Sequence, residues 1–494
     1  MKLKQLINTL DLKNTLKSES ANINISGIAD NSIDVENNYI FVAIKGLNTD
    51  GHDYISDAIK RGASAIIGEI DIEKNSLPVP YIQVSNSRKA LGVIANSFYN
   101  SPSKQKLMIG ITGTNGKTTT SFILKHILES NGMTCSLIGT IQNEINGEVY
   151  HSKQTTPSSL SLQRFLSESR DEIAIVEVSS HGLTQYRVEG IRFDICIFTN
   201  LEQEHLDYHG TMENYFKSKL LLFNHLKENG QAVVNVDNFW GEKLAEILKE
   251  KEIIVHTIGQ ARENEVQIKK FNYEKSVISI EESNETIHFS MPMTGVHNLY
   301  NFVMAYRVAQ LLGIQKEDVI NSLRNFKGVK GRFEILKLQN DVTVVVDYAH
   351  TANAVFYCLN TAKQHGAKRV THIFGFRGNR DESKRKEMIT ISSELSNQFI
   401  LTFDDLNSVT IPEMIQTLKD LNNLYGNQKG LVIPDRTLAI KWAIEQSKPV
   451  DWIIITGKGH EDYNQKFTLP TSSDEKTVLY LTEEFNKTNI ETIN

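Results

Sequence analysis

Residues 113–119, Gly-Thr-Asn-Gly-Lys-Thr-Thr, follow the apolar run "LMIGIT" and open the helical pattern "KTTTSFILKHIL". A strand, a glycine turn, a lysine and a hydroxyl at a helix start make up a cradle for a phosphate chain. Gly113 and Gly116 let the backbone approach oxyanions, and the helix offers unpaired N–H groups and the positive end of its dipole. Lys117 can reach the β- and γ-phosphates, and the Thr118 hydroxyl can bind Mg²⁺. The usual spacing would put a glycine at position 111, where Ile111 stands, so the loop is a short variant. ATP is the expected ligand, held across Gly113, Thr114, Asn115, Gly116, Lys117, Thr118 and Thr119.

Two further residues could complete a metal site. Glu177, in "IVEVSSHGL", follows a buried strand, and His205, in "NLEQEHLDYHG", follows the strand "DICIFTN". Alone, each has an ordinary explanation, a solvated strand end and a hydrogen-bonded loop residue. With Thr118 they come from three neighbouring strand ends, an oxygen-rich set with one imidazole.

Strand ends are delivered in this way by an α/β fold. At 494 residues the chain is too long for one core, and about 150 residues per domain gives about three. Polar joints at 99–106, "YNSPSKQK", and 326–334, "FKGVKGRFE", divide it into 1–102, 103–330 and 331–494. The first block has short strands such as "YIFVAI" and "ASAIIG". In the second, "LMIGIT", "EIAIVEVSS", "FDICIFTN" and "QAVVNVD" alternate with helices, the rhythm of a largely parallel sheet. Short strands from about 252 to 290 suggest a small antiparallel appendage before the helix "NLYNFVMAYRVAQLLG". The third block repeats the buried-strand rhythm in "DVTVVVDYAH", "KRVTHIFGF", "NQFILTF" and "DWIIITGKG", and ligands sit outside the carboxyl ends of such strands.

Composition narrows the partners. Net charge is −6, with lysines and glutamates scattered, so there is no footprint for nucleic acid or an anionic membrane. The start does not read as a signal peptide, and no apolar run approaches the ~18 residues of a spanning helix. Cys135, Cys196 and Cys358 lie far apart, as reduced structural thiols of a cytoplasmic protein would. Small-molecule partners and a monomer are expected.

Nine segments occur in the order seen in Mur ligases: "TGTNGKTTT", "TTP", "EVSSHGL", "FTNLEQEHLDYHGTMENYFKSKLLLF", "GVHNLYNF", "GRFE", "VDYAHT", "GNRDESKR" and "GKGHEDY". The chain resembles that family over nearly its whole length, and most of all its MurE branch, which adds the third residue of the peptidoglycan stem peptide. The resemblance implies three α/β domains: an N-terminal nucleotide-sugar domain, a central P-loop ATPase domain and a C-terminal Rossmann-like domain. It also implies an ATP-dependent amide ligase. The γ-carboxylate of D-glutamate in UDP-MurNAc-L-Ala-D-Glu would take the γ-phosphoryl group of ATP, and an amino acid's amine would displace phosphate from the acyl phosphate. Lys117 and two Mg²⁺ ions would neutralise the charge.

By position in the matching motifs, Lys219 is implied to be carbamylated by CO₂ and to hold the second Mg²⁺, with Thr118, Glu177 and His205 as the other ligands. Lys117, Lys219 and His205 are the implied catalytic set. Ser32, Thr155, Thr156, Ser179 and Arg187 are expected to touch the nucleotide-sugar peptide. Asn298 and Asn301, three apart on one helix face, would lie near adenine, with Arg332 and Asp347 near phosphate and ribose.

Two segments depart from the family pattern. The uridine segment has Asn31-Ser32-Ile33 where Asp-Ser-Arg is usual. The amine-selecting Asp-Asn-Pro-Arg is replaced by Asp404-Asp405-Leu406-Asn407. Losing that arginine removes a bidentate partner for a distal carboxylate, and Asp405 would repel one. Against this, Gly457 and Glu461 match the diaminopimelate branch, and Arg377 or Arg380 could supply the clamp. The expected amino-acid pocket is therefore Arg377, Arg380, Asp404, Asp405, Asn407, Gly457 and Glu461, with the amine open. A paralogue with another amine or acyl acceptor, and a catalytically silent nucleotide-binding protein, stand as alternatives. The intact Lys117, Thr118, Glu177, His205 and Lys219 speak against the second.

Overall fold

The computed structural model describes residues 1–491 except 15–17, 47–48, 74–75, 273–276 and 292. Parts of two expected segments, Leu47–Asn48 of the uridine stretch and Ser276 of a strand, lie outside the described residues.

Three sheets carry the architecture. Near the N-terminus, strands Gly27–Ala29, Tyr39–Val42, Ala63–Gly68 and Tyr81–Gln83 form a parallel sheet in that order. The third block forms a six-stranded sheet, parallel except for the edge strand Glu334–Lys337, with Trp452–Thr456 and Val370–Phe376 at its centre. Between them lies an eleven-stranded sheet. In it Phe193–Phe198, Leu107–Thr112 and Ile173–Glu177 are adjacent and parallel, so the strands preceding His205, Thr118 and Glu177 are neighbours.

Strand alternation explains why the central sheet is buried on both faces. Ile109, Ile111, Ile175, Ile195 and Ile197 pack on one side, against the helices Lys117–Ser130 and Val296–Leu311. Met108, Ala174, Val176, Cys196 and Phe198 fill the other side. Side chains alternate with period two, so an unbroken apolar run serves two cores at once. Each large aliphatic side chain buried in this way stabilises by roughly 1.5–3 kcal/mol relative to exposure.

The expected antiparallel appendage is corrected. Strand Ile254–Gly259 lies parallel to Leu226–Asn235, because the helix Phe239–Glu250 provides the crossover that parallel neighbours require. Val266–Asn272 also starts parallel, and only Val277–Glu282 and Glu285–Ser290 continue antiparallel, all within the one sheet. At the opposite edge an unanticipated hairpin pairs Gln142–Ile145 with Glu148–His151 through Asn146-Gly147, both at positive φ. Among the described residues no helix is long and apolar enough to cross a membrane. The three cysteines are buried and unpaired, and burial pushes the Cys135 thiol up to about 12.

Candidate active site

The phosphate loop is held open by backbone geometry. Gly116 caps the helix Lys117–Ser130 at φ 86 and offers no side-chain cap to the first amides, which stay available to an anion. A Cβ there would come within 2.3 Å of Asn301 Oδ1, so only glycine fits both the conformation and the approach of the second asparagine. From behind, the loop is pinned by the segment after strand Phe193–Phe198. The Thr114 amide donates to Asn200 O, the Asn115 amide to Asn200 Oδ1, and Thr199 Oγ1 to Asn115 O at 2.6 Å. The Thr114 hydroxyl is buried against Tyr215 and the Glu202 amide, so it braces the loop rather than facing the cavity.

Two lysines converge on one carbonyl. Lys117 Nζ and Lys219 Nζ each donate to Gly113 O at 2.8 Å, and Lys117 also donates to Thr114 O at 2.9 Å. Lys219, near the C-terminal end of helix Met212–Leu220, is 1% exposed, with its amine 4.5 Å from the Tyr215 ring centre. Burial drives the Lys219 amine well below its ordinary 10.5, the charge of Lys117 pushes it further down, and burial likewise lowers Lys117. Both amines therefore stand at the loop where phosphates would lie, and Lys219 holds its proton less firmly than an exposed lysine does.

Glu177 is fully buried at the end of its strand and accepts from three hydroxyls: Thr118 at 2.8 Å, Thr140 at 2.7 Å and Ser121 at 3.2 Å. Among the described residues it has no cationic side chain within ion-pair distance. A hard divalent cation suits this donor set, since the oxygens of Thr118 and Glu177 are the ligands such an ion prefers. His205 sits at φ 56 with its side chain 43% exposed, 3.7 Å from Glu204 and ring to ring with His181. Among the described residues no three His, Cys, Asp or Glu side chains are gathered as a metal cluster, so the expected oxygen-plus-imidazole set is spread over neighbouring strand ends rather than preassembled.

A cavity beside the loop is lined by Asn115, Gly116, Thr119, Asn298, Asn301, Arg332 and Asp347, with Tyr300 and Tyr357 at its aromatic end. Asn298 and Asn301 do share a helix face: Asn301 Nδ2 donates to Asn298 Oδ1 at 3.3 Å, and Thr120 Oγ1 donates to Asn301 Oδ1. Arg332 comes from the third block yet donates to Thr118 Oγ1 at 3.3 Å, and its guanidinium lies 4.5 Å from the Tyr348 ring centre. Asp347 accepts from the Phe333 and Ala349 amides at 2.6 Å each, which fixes the turn that carries Tyr348.

A second cavity holds Thr155, Ser179, Arg187, Glu204, His205, Arg377, Arg380 and Asp404. Tyr348 and His350 line both cavities, and His350 Nε2 lies 2.5 Å from Glu204 Oε1 across the gap between the second and third blocks. Several expected residues stand elsewhere. Thr156 is fully buried; its hydroxyl donates to Glu177 O and accepts from the Ser179 amide, so it ties two loops together. Ser32 is buried at a turn of the first block, away from this cleft. Asn407 is not in the amine wall: its Nδ2 donates to Gly378 O at 2.6 Å, a loop brace at φ 50. Asp405 does not repel freely either, because Lys458 Nζ meets it at 2.7 Å. Gly457 lies beneath Asp404, where an added Cβ would be 3.1 Å from Oδ2. Lys458, Tyr348, His350 and Glu204 were not singled out from the sequence, although all four are titratable and each stands in a quoted motif.

Comparison with known proteins agrees with this geometry. The Mur ligase family catalytic domain matches residues 24–99, the Mur ligase middle domain 111–309, and the Mur ligase glutamate ligase domain 331–459. The UDP-N-acetylmuramoyl-L-alanyl-D-glutamate--2,6-diaminopimelate ligase of Fusobacterium nucleatum is 36% identical, covering 94% of this chain and 95% of the relative. Its namesake in Caldanaerobacter subterraneus is 37% identical over 92% and 94%. In fold, a solved structure of a ligase with the same name superposes with TM-score 0.68 at 24% identity, covering 98% of this chain and all of the other. The MurF ligase of Thermotoga maritima in complex with ADP gives 0.66 at 20% identity, covering 93% and 98%. The chain belongs to the Mur ligase family.

Proposed function

We propose that the chain ligates an amino acid to the D-glutamate γ-carboxylate of UDP-MurNAc-L-Ala-D-Glu, with ATP cleaved to ADP and phosphate through an acyl phosphate. It would act as a cytoplasmic monomer in peptidoglycan precursor synthesis. The observation that carries this reading is the pair of lysines sharing the Gly113 carbonyl beside the Thr118–Glu177 contact. The names of relatives that align over nearly their whole length support the choice of acceptor.

In this reading the uncapped amides after Gly116 and the Lys117 ammonium hold the β- and γ-phosphates, while Asn298 and Asn301 bind the base. Arg332 brings a second positive charge to the phosphates from the third block. Thr155, Ser179 and Arg187 orient the nucleotide-sugar peptide so that its carboxylate meets the γ-phosphoryl group. Mg²⁺ would be held by Thr118, Glu177, His205 and Lys219 as its carbamate, and would supply charge neutralisation for phosphoryl transfer. Burial lowers the affinity of the Lys219 amine for its proton, which favours uptake of CO₂. Tyr348 and His350, shared by both cavities, help to exclude water from the mixed anhydride.

The test is phosphate release from ATP with UDP-MurNAc-L-Ala-D-Glu and a panel of amino acids that includes meso-diaminopimelate, lysine and ornithine. Amine-dependent turnover is expected. No turnover with any amine removes the cell-wall reading, and turnover only with another acyl acceptor replaces it by a paralogue's activity.

A further inference from the structure

Three hydroxyls meet the Glu177 carboxylate, and they come from different places. Thr118 and Ser121 belong to the phosphate-loop helix Lys117–Ser130. Thr140 comes instead from the foot of the edge hairpin Gln142–Ile145 and Glu148–His151. Its Oγ1 lies 2.7 Å from Glu177 Oε2 and 3.1 Å from Thr155 Oγ1, so one hydroxyl touches both the carboxylate and a wall of the second cavity.

The backbone holds this contact in place. Gly139 runs so close to the carboxylate that an added Cβ would stand 2.2 Å from Glu177 Oε1. Ser152, buried at the other end of the hairpin, has its Oγ 2.6 Å from Gly139 O, which ties the two ends together. From that second end the chain passes to Thr155, and the next carbonyl, Thr156 O, accepts from Arg187 Nη1 at 2.7 Å. The foot of the hairpin thus presents one hydroxyl to Glu177 and another, near a guanidinium, to the cleft.

Proton counting decides what the two threonines can do. A hydroxyl carries one proton and accepts through its lone pairs. Thr140 faces two acceptors, and the carboxylate oxygen is the stronger, because hydrogen bonds to a charged group exceed those between neutral ones. Thr140 then donates to Glu177, and the contact between the threonines is carried by the proton of Thr155. In that state Thr155 offers the cleft only lone pairs, which suit a ligand N–H and repel an anionic oxygen. With a divalent cation held by Thr118 and Glu177, Oε2 becomes a poorer acceptor, because the same lone pairs serve the ion. Thr140 is then free to donate to Thr155, and Thr155 to donate into the cleft.

Resting on the ligase reading above, we propose that Thr140 is a positioning residue that couples cation binding at Glu177 to acceptor binding in the second cavity, by setting whether Thr155 accepts or donates. Its hydroxyl turns toward Glu177 without the cation and toward Thr155 with it. Only the second state gives Thr155 a proton for an anionic oxygen of the nucleotide-sugar peptide. Coupling of this kind is reciprocal, so the acceptor also tightens the cation.

The test is calorimetric titration of UDP-MurNAc-L-Ala-D-Glu into the full-length protein at saturating ADP, in Mg²⁺ or in EDTA, with no ATP and so no turnover. For the unaltered protein the acceptor Kd should be at least about fivefold lower in Mg²⁺ than in EDTA, the lower end of ordinary coupling between sites. Thr140→Ser keeps the hydroxyl and should keep most of that ratio. Thr140→Val should bring the ratio to within about twofold of unity, and do so through tighter binding in EDTA than the unaltered protein shows, because the Thr155 proton no longer has Thr140 to serve. A merely structural role for Thr140 would weaken binding in both buffers and leave the ratio standing. Thr155→Val should lose the ratio through weaker binding in Mg²⁺, and it carries the test if Thr140→Val does not fold. The assignment alone is overturned by a ratio near unity in the unaltered protein, by a ratio kept in either valine variant, or by weaker binding of Thr140→Val in EDTA. Absence of acceptor binding in both buffers strikes the ligase reading and removes this assignment with it.

Discussion

The phosphate loop and the amine wall are both lined by charge, but they are built in opposite ways. Around Gly113, cations meet backbone carbonyls and a carboxylate meets only hydroxyls, so no charge is cancelled by another side chain. Around Arg377, cations and carboxylates pair with each other at every turn. The first arrangement leaves its charge free for a ligand that every turnover brings. The second holds nearly all of its charge internally, which serves discrimination rather than affinity.

That contrast can be broken most severely at Lys117. Lys117→Met should lower phosphate release by about 10³-fold or more, because Arg332 reaches the phosphates from the opposite side, beside Thr118, and cannot replace the ammonium inside the loop. Steady-state phosphate release measures it, and a loss under tenfold would mean the loop's charge is redundant. Lys219→Ala should also lose activity, with partial return on adding chloride or a small carboxylate; full activity without either would remove the carbamate from the mechanism.

Lys219 also gives the comparison a pH signature. Its folded amine lies well below 10.5, so between that depressed value and 10.5 the unfolded chain binds more protons than the folded one. Stability contributed by this site therefore rises with pH across that window. In CO₂-free buffer, the difference in thermal midpoint between the unaltered protein and Lys219→Met should shift in favour of the unaltered protein from pH 7 to pH 9. A difference that does not move would mean the amine is not desolvated.

Smaller effects belong to the braces. Thr156→Val leaves the Ser179 amide and the Glu177 carbonyl short of a partner and should cost about 1–3 kcal/mol in denaturant unfolding. Asn407→Ala removes one loop hydrogen bond and should cost about 1 kcal/mol without altering amine preference. A change in preference there would return Asn407 to the amine wall.

Legibility from sequence follows the same division. The loop is contiguous, so strand, glycines, lysine and helix can be read from one stretch, and the asparagine pair is set by helical spacing alone. The parallel order of the strands before Thr118, Glu177 and His205 also follows from the βα rhythm. The direction of strand Ile254–Gly259 did not, because a short alternating run looks the same parallel or antiparallel, and only the crossover helix before it decides. The edge hairpin announced itself by Asn146-Gly147 between alternating residues, a turn signal that went unread. Of the amine wall, Arg377, Asp404, Asp405 and Glu461 were named from three separate segments, whereas Lys458 and the pairing among the five were not legible, because the destination of a polar side chain depends on partners far along the chain. Asn407 and Arg377 illustrate this: the residue aligned with the specificity motif turned to its own loop, and one outside that motif took its place beside the carboxylates.

Tyr348 lies between the two cavities, with Arg332 over its ring at 4.5 Å and Arg377 at 6.0 Å. A single aromatic ring is thus a shared bearing surface for the nucleotide-side and amine-side arginines, mounted on a turn clamped by Asp347. Kinetic constants for the two ligands cannot then be varied independently at this position: any substitution that shrinks the ring loosens both guanidinium groups together, and its signature is a joint displacement of two Michaelis constants.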